Sequence, residues 1–297
     1  MNFVLSSLSE GLLWSIMAIG VYLTFRILDI ADMTAEGAFP LGAAVVVSQI
    51  QAGTNPWIAT LLALLAGMVA GLVSGMLHTK MKIPALLTGI VTLTGLYSIN
   101  IKIMGSVPNL SLGDSSTVFK QLASLGLTTE EAVFSLSLAC LLLVCLLLTL
   151  LMKTEIGLVL RSTGDNIPMS EANGVNVDTM KIVGYMISNS LIALCGSLFA
   201  QNDGFSDVTS GTGTIVVGLS AVIIAEVLIH DLTIGSRLLS IGIGAIVYRL
   251  IILNIYEIPN LDQNLVRLFN AILLALVLFA PELQKRLKIR GLKLRNE

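Results

Sequence analysis

The residues of this chain that could make or break bonds are few, and their spacing argues against catalysis. His78 and His230 are the two histidines, with no H-E-x-x-H pair and no G-x-S-x-G turn. Cys140, Cys145 and Cys195 lie in apolar runs without a His or Cys partner at metal-ligand spacing, so they read as small buried hydrophobes. No G-x-x-x-x-G-K-[ST] phosphate loop occurs either. The sequence thus offers no catalytic residue, no metal ligand and no cofactor site. What it does offer is a set of polar side chains inside or beside apolar runs: Asp32, Glu36, Asn100, Asn189, Glu226, Arg249 and Asn254. Such groups are costly in hydrocarbon and have to face a partner helix, a cavity or water. Their chemistry is hydrogen bonding, to one another or to a polar solute.

The elements that hold these groups follow from composition. With 55% apolar residues, 12% charged residues and a mean hydropathy of +0.89, too few charges remain to coat a water-facing globule. The net charge of −2, with basic residues beside apolar runs and in the last dozen positions, gives no sign of a nucleic-acid partner. Nine apolar segments stand out, at 11–25, 38–50, 57–79, 83–104, 132–152, 179–200, 214–229, 234–254 and 265–280. A helix needs about 20 apolar residues to cross a hydrocarbon core of about 30 Å, and the short alternating segments of a β-barrel are absent. The expected fold is therefore all-α: one polytopic membrane domain over residues 1–297, with about 8–10 transmembrane helices. No positive n-region precedes the first run and no small-residue cleavage site follows it, so that run is expected to be retained.

The second segment is too short for an upright crossing and carries Asp32, Thr34, Glu36, Gly37, Pro40 and Gly42 in or just before it. A broken or half-inserted helix is expected near residues 26–50, where protein or a cavity satisfies the backbone. The rival reading is an ordinary hydrated turn. Orientation follows from basic residues, which stay inside when they flank a span. His78, Lys80 and Lys82, then Lys153 and Arg161, then the tail at 282–297 with Lys285, Arg286, Lys288, Arg290, Lys293 and Arg295, all fall inside in one alternation. The loops at 105–131, 201–213 and 256–264 then face outward. Gly67, Gly71 and Gly75 repeat every four residues and suit close helix packing. A short echo, Asp32-Met33-Thr34 before Gly42 and Asp207-Val208-Thr209 before Gly218, hints at an inverted repeat.

The inner segment 153–178 is the longest polar stretch on its side. Asn166 suits a helix N-cap, Pro168 its first turn and Gly174 a left-handed end, which predicts a short helix at 167–173. A helix of that length survives only by docking on something. It reads as a knob through which a separate motor pushes on the spans, or as an inert surface connector.

Here the sequence resembles a family. Gly157, Arg161, Gly164, Asn166, Ala172, Gly174 and Asn176, in IGLVLRSTGDNIPMSEANGVN, are similar to the coupling pattern of permeases from bacterial ABC importers for ribose, nucleosides and branched-chain amino acids. FRILDIADMTAEGAFPLGAA resembles that superfamily's first broken helix, and most of all the group paired with tryptophan- or tyrosine-binding lipoproteins; GLSAVIIAEVLI resembles its second-half span. Glu226 and Val227 stand where the family pattern continues GG. The resemblance implies a homodimer in the bacterial inner membrane, a cytoplasmic ABC ATPase dimer that holds ATP and magnesium, and an external substrate-binding lipoprotein. It implies coupling through Arg161, Gly164, Asn166, Pro168, Ala172, Asn173, Gly174 and Asn176. Asp32, Glu36, Gly37, Pro40, Gly42, Asn189 and Glu226 are the expected path residues.

Alternatives remain at several positions. Asn189 suits either a solute path or an interhelical hydrogen bond. Glu226 suits either function or a salt bridge to Arg237, and Arg249 suits snorkelling or a pair with Glu257. A secondary transporter or channel would need an ionisable relay at the midplane, where the sequence puts a single neutral Asn. For the solute, the expectation is an amino acid, aromatic ones included, with a sugar or nucleoside as the alternative.

Overall fold

The computed structural model describes residues 2–124, 126–229 and 233–256, together with Ala271, Ile272, Ala275, Leu276 and Phe279. Among these residues the helices are α1 (Asn2–Tyr22), continued by a π turn (Leu23–Ile27), α2 (Ala35–Gln51), α3 (Pro56–Thr79), α4 (Ala85–Ile103), α5 (Val118–Ala123), α6 (Thr129–Lys153), α7 (Glu155–Asp165), α8 (Ile167–Ala172), α9 (Val177–Asp203), α10 (Thr214–Leu228) and α11 (Ile234–Tyr256). Two short strands, β1 (Asn109–Ser111) and β2 (Phe205–Asp207), pair antiparallel with Asn109 opposite Asp207. The chain is an all-α polytopic membrane protein. Six described helices are long and apolar enough to cross a membrane: Leu5–Ile27, Pro56–Thr79, Ala85–Ile103, Thr129–Lys153, Val177–Asp203 and Ile234–Leu253.

Eight of the nine apolar segments correspond to helices, while the ninth, at 265–280, falls for the larger part outside the described residues, and the basic tail, His230 and Glu257 fall outside them altogether. Helix ends obey local chemistry. Asn55 accepts from the Trp57 N–H at 3.0 Å with Pro56 in the first turn of α3, and Thr128 and Glu131 form a reciprocal capping box on α6. Gly204, at φ +78°, ends α9 in the left-handed region.

α9 is the centre of the bundle and packs along α1, α2 and α3. Its approach to α3 explains the four-residue glycine stripe. A Cβ at Gly67 would lie 2.4 Å from the Asn189 carbonyl oxygen, and one at Gly71 would lie 2.3 Å from that of Tyr185. With lipid tails as apolar as the side chains, this close backbone contact supplies the dispersion energy that holds the pair. The outer faces of α3, α4 and α6 instead leave residues such as Leu61, Val91 and Leu143 more than half exposed, as a lipid-facing surface requires.

The break in the first part of the chain differs from expectation in place. Pro40 and Gly42 sit inside a continuous α2, and the irregular stretch is the π turn with residues 28–34. α2 and α10, at 17 and 15 residues, reach about 25 and 22 Å at 1.5 Å per residue, less than a core of about 30 Å.

Candidate functional site

The broken segment is built from the end of α1 inward. Leu28 N–H bonds the Leu23 carbonyl at 3.1 Å and Ile30 N–H bonds that of Thr24 at 2.9 Å, after which Asp29 takes a left-handed φ of +55°, a conformation Asp tolerates better than most residues. The chain then turns back into the bundle. Asp32 Oδ1 accepts the Thr34 N–H at 2.9 Å, an Asx turn that launches α2, and Asp32 Oδ2 accepts from Asn189 Nδ2 at 2.8 Å. The same amide donates to the Tyr185 carbonyl at 3.0 Å. Asp32 is 6% exposed and Asn189 is fully buried, so the hydrated-turn reading fails for Asp32. Thr34 continues the network through Ser74 of α3 at 2.5 Å and on to Thr92 of α4 at 3.1 Å.

Glu36 lies one turn further on and half buried. Its Oε1 accepts the Gly213 N–H at 3.0 Å, so one carboxylate at the start of α2 also caps the start of α10 and complements both helix dipoles. Pro40 lacks the N–H that would bond the Glu36 carbonyl. Gly211 fits against that carbonyl, where a Cβ would come within 1.9 Å. The N-termini of the two short helices therefore meet inside the bundle. Gly37 packs on Leu93 and Leu96 of α4, and its carbonyl accepts from Asn100 Nδ2 at 3.3 Å. Gly42 packs on the Ala193 backbone of α9.

One ion pair differs from the expected one, and a second stands beside an expectation whose partner is not among the described residues. Glu226 pairs with Arg26 at 2.7 Å and not with Arg237, because α1 packs beside α10 and the π turn brings Arg26 to the end of that helix. Arg249 pairs with Glu10, because α1 also lies along α11. Glu257 is outside the described residues.

The segment 153–178 holds two helices where one was expected, and the short one ends a residue earlier, at Ala172. Thr154 caps α7 by accepting from Gly157 N–H at 3.4 Å. Arg161 reaches back to the Met152 carbonyl at 3.2 Å and ties α7 to the last turn of α6. Asn166 caps α8 through the Met169 N–H at 3.0 Å, Pro168 lies in its first turn, Asn173 bonds the Met169 carbonyl at 2.8 Å, and Gly174 has φ +80°. Asn176 caps α9 through Thr179 N–H at 3.1 Å. Ala172 and the rest of α8 are exposed apart from Ser170, with Met169 at 63%. Gly164 touches the break itself: a Cβ there would lie 1.8 Å from the Ile27 carbonyl oxygen. Leu28 in turn fits against Gly184 of α9.

The sequence reading missed α7, Arg26 and Gly213. Thr154 before an amphipathic stretch and the lone Arg after the first apolar run were available signals; the Gly213 contact, 177 residues from Glu36, was not.

Among the described residues no group of three or more His, Cys, Asp or Glu side chains could hold a metal ion. Residues 3–281 match the family described as branched-chain amino acid transport system / permease component. The chain is 40% identical over 99% of its length to a tyrosine transport system permease protein of Clostridioides difficile, covering 96% of that protein. It is 32% identical to an uncharacterized protein of Rickettsia prowazekii, over 76% of this chain and 78% of that one. It is also 31% identical to the autoinducer 2 import system permease protein LsrC of Yersinia enterocolitica, over 90% of this chain and 68% of the relative. No solved structure matches it. A family match over nearly the whole chain, on a bundle of apolar spans, means that this multi-pass inner-membrane protein belongs to the branched-chain amino acid transport system permease components.

Proposed function

We propose that the chain forms the path of an ATP-driven importer as a homodimer, with an ATPase dimer docked on α8 and a substrate-binding lipoprotein on the side of β1 and β2. ATP and magnesium belong to the ATPase chains. The observation that carries this reading is the contact of Gly164 with the Ile27 carbonyl. A force on the exposed α8 passes through α7 to the π turn, and from there to the segment that ends in the Asp32 and Asn189 hydrogen bond. Basic residues Lys80, Lys82, Lys153 and Arg161 support an inside position for the α8 end.

For the solute we favour an aromatic amino acid, in keeping with the relative named for tyrosine transport. A sugar or nucleoside is the second reading, and another relative is named for import of a different solute, autoinducer 2. Docking is tested by placing a photo-reactive cross-linker on Met169→Cys in a variant lacking Cys140, Cys145 and Cys195. Capture of the ATPase chain from Met169 but not from Ser116→Cys supports the reading; capture from Ser116 alone overturns it.

A further inference from the structure

Away from the break, three aromatic rings from three different helices meet. Trp14 of α1 stacks on Phe39 of α2, with centroids 5.6 Å apart and planes 4° apart. Phe199 of α9 tilts against both, at 4.9 Å from Trp14 and 5.9 Å from Phe39. These rings wall a cavity of about 240 Å³ that also reaches Asp203, Ser206, Arg249 and Asp207, whose carboxylate is held by Thr209 and Asn109. That is below the roughly 300–1,000 Å³ of pockets for drug-sized ligands, so the space suits a single small solute.

The polar atoms narrow the solute further. Ser206 is 1% exposed and its Oγ has no hydrogen-bond partner among the described residues, an uncommon state for a buried hydroxyl, which costs about 1–3 kcal/mol when unsatisfied. Asp203 ends α9 with an exposed carboxylate. Arg249 lines the same end of the cleft and is paired with Glu10, so it brings a guanidinium face there beside an acidic partner. An aromatic wall beside charges of both signs is complementary to a zwitterion with an aromatic side chain. A sugar would use the rings but bring no cation to the Asp203 carboxylate.

We infer that this cleft is a solute-receiving subsite of the permease, where Trp14, Phe39 and Phe199 contact the ring of an aromatic amino acid, Asp203 its ammonium, and Ser206 with Arg249 its carboxylate. The inference rests on the proposed importer reading and its orientation, which put the cleft on the side where solute is released from the lipoprotein.

The test uses the whole complex, permease with its ATPase and lipoprotein, in proteoliposomes, and follows ATP-driven uptake of labelled L-tyrosine and labelled D-ribose. Phe199→Leu and Ser206→Ala, checked for co-purification of the ATPase chain, are expected each to lower L-tyrosine uptake at least tenfold. For variants that fail to assemble, Ser210→Cys at the exposed rim replaces them, in a variant lacking the three native cysteines. A thiol reagent there is expected to block uptake, and L-tyrosine to slow the modification at least threefold. Normal tyrosine uptake by both assembled variants, or modification of Ser210→Cys without effect, overturns the subsite and leaves the importer reading standing. Uptake of D-ribose with none of L-tyrosine overturns the solute class itself, and the subsite with it.

Discussion

Asn189 and Asp32 are 157 residues apart in the chain, yet the amide of one donates a 2.8 Å hydrogen bond to the carboxylate of the other inside the bundle. A buried polar group that loses its hydrogen-bond partner incurs about 1–3 kcal/mol. Asn189→Leu is therefore expected to lower the thermal midpoint in detergent, and Asp32→Asn to lower it too, because its single amide oxygen can accept from only one of the Thr34 N–H and the Asn189 amide. Combined with Asp32→Asn, the Asn189→Leu change should cost less than it does alone. Strict additivity would mean that the two side chains do not interact.

The helix contacts predict a sharp contrast between two glycines. Gly71 faces the Tyr185 backbone with no room for a Cβ, whereas Gly95 has nothing within 4 Å of that position. Gly71→Val should abolish recovery of folded protein from detergent extracts. Gly95→Ala should be neutral or stabilise by about 0.5–1 kcal/mol, the usual difference between these residues in a helix. Size-exclusion profiles and thermal midpoints of the two variants check this.

Arg26 and Glu226 form a pair whose side chains are 59% and 26% exposed. Such pairs contribute about 0.2–1 kcal/mol and weaken with salt. A double-mutant cycle of Arg26→Gln and Glu226→Gln should give a coupling in that range at low salt. The same cycle with Arg237→Gln should give none, and a coupling to Arg237 in its place would restore the pairing expected from sequence.

Orientation is open to labelling. In a variant lacking Cys140, Cys145 and Cys195, an impermeant thiol reagent should modify Ser116→Cys in intact spheroplasts, and Glu171→Cys only after permeabilisation. Both positions are exposed, so access reports the side of the membrane. The reverse pattern would invert the bundle.

Much of this was legible in the chain because membrane helices announce themselves by length and hydropathy, and because caps are local. Asn166, Pro168 and Gly174 define α8 within nine residues. Asp32 and Asn189 were recognisable as groups unsuited to lipid. Their mutual bond was not, because contact between residues so far apart depends on how α2 crosses α9, and no local pattern encodes a crossing. The same limit explains the ion pairs: Arg237 is near Glu226 in sequence, but the packing of α1 against α10 decides the partner. Pro40 and Gly42, read as signs of a break, instead let neighbouring backbone approach an intact helix.

The central claim is that α8 and α7 transmit ATPase motion to the break through Gly164. Its most direct measurement is the ratio of solute taken up to ATP hydrolysed by the reconstituted complex carrying Asn166→Ala or Gly174→Val. The first removes a cap worth about 1 kcal/mol, and the second places a β-branched residue at φ +80°, where a Cβ costs about 1–2 kcal/mol. The account predicts that hydrolysis continues in both while uptake per ATP falls at least tenfold. An unchanged ratio in both variants, with the ATPase still bound, would contradict it.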